Sequence, residues 1–326
     1  MDSTDVSQLI RANLWSDQLK DILTDILFGQ RFVNWMTNFP DGTTFNIPSI
    51  GELPMREASE GTPVVYDALD TGNFTFTIDR YVESATYITD KAKQDSYYAN
   101  QLIASFIPKM RRALEENLET SIFALSGSQT TSDPNGINNA AHRWVAGHGG
   151  TDGYLTLQDF AAAKFALDKA HTSGARVAVI DPAQEYVLNT ITNLVNVSNN
   201  PRFEGIINSG FVNATTGMSF IKNVYGFDVY VSNFLPSVGA ETISTSGSTI
   251  APNTGAVSTA GDVACLFMSI GGMDETPFKG AWRQAINVEF ERNKDLRRDE
   301  YVMNGRFGLK LYRPESLVSV LAKATL

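Results

Sequence analysis

The stretch IGELPMREASEGTPVVYDALD, residues 50–70, fits poorly inside a globular core. It carries Glu52, Arg56, Glu57, Glu60, Asp67 and Asp70 among scattered prolines and glycines. Its flanks read differently. TTFNIPSI precedes it and TGNFTFTIDRYVESATYITD follows, and both show the apolar–polar alternation of strands. Two strands joined by about twenty polar, irregular residues form a hairpin-like arm, whereas connections in compact domains are usually far shorter. Such an arm needs a surface to lie on.

Downstream of the arm the sequence predicts a long helix over about 96–126, with Asp95 or Ser96 as N-cap. Leu102, Phe106, Met110, Leu114, Leu118 and Ile122 recur every four residues, so the apolar stripe winds slowly round the helix. Arg111 with Glu115 and Arg112 with Glu116 form i, i+4 pairs on the wet side. Pro108 removes one donor and is expected to kink the helix. At about 1.5 Å per residue the helix spans on the order of 45 Å, the proportions of a spine.

Upstream, VSQLIRANLWSDQLKDILTDILF approximates one apolar helical stripe through Leu9, Leu14 (or Ile10, Trp15), Leu19, Leu23 and Ile26 or Leu27, and Gly29 ends it. This segment reads either as an amphipathic arm seeking a partner or as a helix on its own domain. Beyond the spine, residues 127–153 form a Gly/Asn/Ser-rich loop, followed by an α/β region. There Thr156 caps TLQDFAAAKFALDKAH with Asp159 at the capping-box position. RVAVI reads as a strand, and Asp181-Pro182 opens the next helix. NVYGFDVYVSN and DVACLFMSI read as further strands, separated by a Ser/Thr/Gly-rich stretch at 239–261 expected to be an exposed loop. The chain ends in a hairpin, AINVEFERNKDLRRDEYVMNGRFGLKLYRP, with a densely charged turn. Ile286, Val288 and Phe290 share one face of its first strand, and Phe307, Leu309 and Leu311 one face of its second.

Bulk properties exclude several classes. A chain of 326 residues with 43% hydrophobic content buries a sizeable core. Its net charge of −10 argues against gripping phosphate backbones, though not against enclosing nucleic acid. Cys265 is the only cysteine, so an intrachain disulfide and a Cys-rich metal site are ruled out. The start MDSTDVSQLI lacks the features of a signal peptide, and no apolar run is long enough for a bilayer helix. Folding in a cytoplasm is the expectation.

The chemistry-bearing residues form no catalytic pattern. His142 and His148 stand in a loop without an acidic ligand at metal-site spacing, and His171 stands apart. GHGG at 147–150 resembles an oxyanion loop, yet no G-x-S-x-G elbow accompanies it. No phosphate-binding loop occurs, and SDPNGINN departs from the calcium-loop pattern. Asp181, in AVIDPAQ, is explained by capping. Glu57/Glu60 and Glu115/Glu116 are paired carboxylates that read as solvated or partner-facing charges. The sequence therefore predicts no catalytic, cofactor-binding or metal-ligating residue.

The order of elements resembles the major capsid proteins of tailed bacteriophages, those with the Hong Kong 97-type fold. The sharpest local marks are YGFDVYVSNFLP, Tyr225 to Pro236, and GRFGLKLYRPESLV, Gly305 to Val318. The resemblance implies an α+β fold with residues 1–44 as N-terminal arm and 45–92 as extended loop. Residues 93–150, with the spine helix, and the β-hairpin return 282–326 would form the peripheral domain. Residues 151–281 would form the axial α/β domain. It further implies self-assembly into hexamers and pentamers of an icosahedral head around double-stranded DNA. Implied partners are a separate scaffolding protein, a portal protein at one vertex and decoration proteins, with no membrane. An encapsulin-like compartment shell and, more remotely, a cytoplasmic α/β enzyme are the alternative readings.

In that family the extended loop lies across a neighbouring subunit, and the charges agree. Between Phe45 and Lys91 eight acids stand against Arg56, Arg80 and Lys91, while from Arg283 to Arg313 eight bases stand against five acids. The expectation is that Glu52, Arg56, Glu57, Glu60, Asp67 and Asp70 meet Arg292, Lys294, Arg297 and Arg298 of an adjacent copy. The type member welds its shell through a lysine in the extended loop. Here the loop has no lysine before Lys91, which implies non-covalent cohesion.

Overall fold

The computed structural model of the chain describes residues 25–36, 42, 44–50, 55–57, 60–61, 63, 66, 71–95, 99–126, 142–147, 153–191, 223–241, 257–272 and 275–326. The amphipathic segment before Asp25, most of the loop at 127–153 and the centre of the Ser/Thr/Gly-rich stretch lie outside the described residues.

The arm is built as its alternation requires. β2 (Thr44–Ile50) and β3 (Thr71–Thr77) pair antiparallel from Thr44↔Thr77 to Ile50↔Thr71, following a short strand β1 (Val33–Met36). β4 (Arg80–Thr89) leaves the arm and leads through a short helix α1 (Asp90–Asp95) into the spine, α2 (Ala99–Ala124), which contains Pro108. Met110, Leu114, Leu118 and Ile122 are buried, as the four-residue spacing demands. Leu102 and Phe106 lie outside the described side chains.

A four-stranded sheet, in the order β1-β10-β11-β4, uses the long hairpin of β10 (Phe278–Asn293) and β11 (Arg298–Leu311). The hairpin pairs from Phe278↔Leu311 to Asn293↔Arg298, with register shifts between Trp282 and Asn287. Met110 and Leu114 of α2 pack on Met303, with Val82, Ile286 and Tyr301 around them. Farther along, Leu118, Ile122 and Phe123 enter the main core. The spine thus joins two bodies.

The second body is a six-stranded sheet. Its strands are β5 (Arg143–Val145), β6 (Ala175–Ile180), β7 (Asn223–Val224), β8 (Phe227–Val231), β9 (Val263–Ile270) and β12 (Leu317–Ala322), in the order β5-β12-β9-β6-β8-β7. α3 (Leu157–Lys169) follows a complete capping box between Thr156 and Asp159, and α4 (Pro182–Thr190) starts at Asp181, whose carboxylate accepts from the Ala183 amide. Phe160 of α3 meets Phe227 and Phe267 edge-on, with centroids 6.2 and 4.9 Å away. Tyr225-Gly226, both with positive φ (51° and 89°), makes the tight β7–β8 turn.

Two segments from outside residues 151–281, at 143–145 and 317–322, are strands of the six-stranded sheet. β12 lies between β5 and β9, from Leu317↔Met268 to Ala322↔Val263. The physical reason is the run LVSVLA, buried at every position and so able to sit only inside a sheet covered on both faces.

Candidate assembly interface

At its base the arm is tied to its own chain. Phe76 and Ile78 are buried against Ala281, with Met36 and Phe74 alongside. The Lys310 ammonium donates to the Thr75 carbonyl oxygen at 2.8 Å and lies 4.7 Å from the centre of the Phe74 ring. Phe74 in turn meets Tyr312 edge-on, and Lys279 stands 3.9 Å over that tyrosine ring.

Beyond this base the picture reverses. Met55 is 99% exposed and Tyr66 90%, far more than large apolar side chains usually are on a finished surface. Arg56, Glu57 and Glu60 are exposed beside them. Glu52, Asp67 and Asp70 lie outside the described residues.

The four basic residues read from sequence are all at the far end of the β10–β11 hairpin, and they divide into two pairs. Arg292 donates to both carboxylate oxygens of Asp90, at 3.0 and 2.8 Å, and to Asp299 at 2.9 Å. Lys93 of α1 also pairs with Asp299. Arg298 pairs with Glu300 at 2.6 Å and lies 4.4 Å over the Tyr87 ring. The Arg292 hydrogen bond holds the Asp90 carboxyl below its ordinary range, that of Lys93 does so for Asp299, and that of Arg298 for Glu300. Arg292 and Arg298 are therefore engaged within their own subunit.

Lys294 and Arg297 are exposed in the turn and form no ion pair among the described residues. Arg297 takes a left-handed backbone (φ 48°) while its carbonyl oxygen accepts from the Asp90 amide at 3.0 Å. Leu296 in the turn and Phe290 on β10 are also exposed, at 56% and 59%, as are the acids Glu291 and Asp295. The exposure of Leu296 and Phe290 was not read from the sequence. The signal was present in DLRR, an apolar residue set in a charged turn.

The residues weighed for chemistry have structural settings. His142 Nδ1 lies 3.1 Å from the Leu317 carbonyl oxygen, and His148 lies outside the described residues. The Gly147 amide of GHGG donates to Asp159, which also accepts from the Trp144 indole. Burial pushes the Cys265 thiol up to about 12, leaving it an inert core residue. No group of three or more potential metal ligands occurs among the described residues, and no described helix is long and apolar enough to cross a membrane.

An arm leaving the body, a spine helix under one sheet and an α/β sheet beyond it define the Hong Kong 97-type fold. The chain belongs to the phage capsid protein family, whose model matches residues 73–320. It is a structural protein of the bacteriophage major capsid type, located in the virion capsid. Among solved structures it is similar to that of Mycobacterium phage Che8, at 17% identity and TM-score 0.61, covering 96% of this chain and 97% of the other. It is similar also to the capsid of cyanophage P-SCSP1u, at 16% identity and TM-score 0.67, covering 96% and 93%. The capsid of Ralstonia phage GP4 shares 13% identity at TM-score 0.61, covering 97% and 96%. No curated protein matches the sequence.

Proposed function

We propose that this subunit assembles with copies of itself into hexamers and pentamers of an icosahedral head that encloses double-stranded DNA. The work is done by packing and overlap, with no chemical step, and the acidic chain lines the container without gripping its contents. The observation that carries this reading is the arm. It is anchored at Phe76 and Ile78 but presents Met55 and Tyr66 almost entirely to solvent, a surface that makes sense when another copy covers it. The exposed Glu57 and Glu60 suit the exposed Lys294 and Arg297 of a neighbour.

A separate scaffolding protein, a portal protein at one vertex and decoration proteins are the partners this assembly calls for, with synthesis in the host bacterial cytoplasm. Negative-stain microscopy of purified protein is the test. Closed particles of megadalton mass support the proposal, and a small oligomer of fixed size overturns it. A denaturing gel of the particles is expected to show single subunits, since no lysine occurs in the arm before Lys91.

A further inference from the structure

Glu119 is the most deeply buried carboxylate on the spine, 1% exposed, and it has no basic side chain as a hydrogen-bond partner among the described residues. Its two oxygens instead accept backbone amides from the start of the described chain: Phe28 N–H at 3.2 Å and Gly29 N–H at 2.7 Å. A carboxylate accepting adjacent amides fixes the chain's direction at that point, because both donors are oriented by one side chain. A Cβ at position 29 would lie 2.7 Å from a Glu119 oxygen, so the carboxylate would have to move off the two amides to admit one.

Further contacts hold the same short segment. Phe28 lies 6.2 Å from Phe123 of α2 and 5.2 Å from Tyr230 of β8, centroid to centroid. The carbonyl oxygen of Asp25 accepts from Arg112, and its carboxylate accepts from Asn233 at 2.7 Å. Eight residues on, β1 covers the β10 edge from Phe278 to Ala281, and Trp35 stacks on Trp282 at 5.4 Å. Residues 25–36 therefore cross from the spine to the α/β sheet and then to the hairpin sheet, closing over an edge that would otherwise offer unpaired backbone groups.

We propose that Asp25–Met36 is a strap latched to the spine by Glu119, opening as a unit when the latch is cut and exposing the β10 edge with its aromatic neighbours. The latch is the pair of hydrogen bonds by which the Phe28 and Gly29 amides meet the Glu119 carboxylate. It goes beyond the assembly reading, because it concerns how a single subunit holds its own N-terminal segment.

The test is limited trypsin digestion of the full-length chain at Arg31, an exposed site within the strap. Glu119→Ala orphans two amides, and Gly29→Ala drives a methyl group into the carboxylate. Each is expected to raise cleavage at Arg31 by about tenfold or more. The double variant is expected to cleave no faster than Glu119→Ala, because the added methyl then meets no carboxylate. Amide protection in β9 and β12 should stay at its wild-type level. The proposal is overturned if neither variant speeds cleavage, if the two effects multiply, or if protection in β9 and β12 falls by the same factor as the strap's.

Discussion

The guanidinium of Arg143 holds the Glu241 carboxylate through two hydrogen bonds, of 2.9 and 2.8 Å, at a site where the arginine is 1% exposed. It also donates to the Ser126 carbonyl oxygen at 3.0 Å and to Ser319 Oγ at 3.2 Å. One side chain thereby ties the end of the spine to β5, β12 and the segment beyond β8. Removing one partner of a buried pair costs about 3–5 kcal/mol, and the partial exposure of Glu241 places this pair near the lower end. Arg143→Met is expected to lose about that much stability in urea denaturation. A variant with an unchanged midpoint and slope would show that the guanidinium is dispensable to the junction.

The hairpin end should respond to acid in a defined direction. Arg292 and Lys93 hold Asp90 and Asp299 below their ordinary value of 3.8, so the folded state favours the ionised carboxylates more than the unfolded chain does. The stability they contribute is present above that value and is lost as pH falls through the depressed ones. Arg292→Met should therefore speed exchange of the Asp90 amide near neutral pH, while the variant and the wild type converge as pH falls below the depressed values. Equal exchange at neutral pH would mean that the network does not hold the turn.

His142 titrates in a different window. Burial, its largest influence, depresses the imidazole below 6.5, and the weaker opposing effects are its hydrogen bond to the Leu317 carbonyl and the charge of Glu315. The unfolded chain binds the proton more readily. The contribution is thus full above 6.5 and declines as pH falls from there through the depressed value. The His142 carbonyl oxygen also accepts from the Ser319 amide at 2.8 Å, so the loss should fall on the β5–β12 junction. Ser319 protection, corrected for intrinsic exchange, is expected to decline as pH falls below 6.5 in the wild type and not in His142→Gln.

Much of this architecture was legible in the sequence because it is local. The stripe through Met110, Leu114, Leu118 and Ile122, the Thr156/Asp159 box and the Asp181-Pro182 start all depend on residues within a few positions of each other. The arm was legible for the same reason, its strands being regular and its centre too polar to bury. Sheet membership was not, since LVSVLA says only that it is buried, while its place between β5 and β9 depends on partners far away in sequence. The candidate interface was half legible. Charge counting found the basic hairpin end, but Asp90 reaches Arg292 across 202 positions, and no local pattern reports that pairing.

Gly308 shows how closely the arm base approaches the body. A Cβ on it would stand 2.6 Å from the Thr77 carbonyl oxygen and 3.0 Å from Ile78 Cα, both backbone atoms that cannot swing aside. Gly308→Val is expected to cost about 1–3 kcal/mol and to lift protection at Phe76 and Ile78 while the six-stranded sheet keeps its own. Gly305→Ala is the control, since its nearest neighbour would be an ordinary 3.5 Å away. If the control loses as much as Gly308→Val, close approach is not the cause.

The division of the basic residues makes the proposed contact between subunits testable by charge exchange. Lys294 and Arg297 face solvent, whereas Arg292 and Arg298 are committed within their own chain. Reversing the exposed pair as Lys294→Glu with Arg297→Asp leaves the internal network in place, and Asp tolerates the left-handed backbone at 297. Reversing the arm as Glu57→Lys with Glu60→Lys changes only exposed positions. Each reversal alone sets like charges together and is expected to reduce particle yield in a sucrose gradient by about tenfold, and combining them should restore most of it. Raising salt should narrow the differences, because exposed charges are screened beyond about 10 Å at 0.1 M. Rescue by the combination ties the two surfaces together. If the combined variant instead assembles less well than either parent, Glu57 and Glu60 do not meet Lys294 and Arg297, and the arm finds its partner elsewhere on the neighbouring subunit.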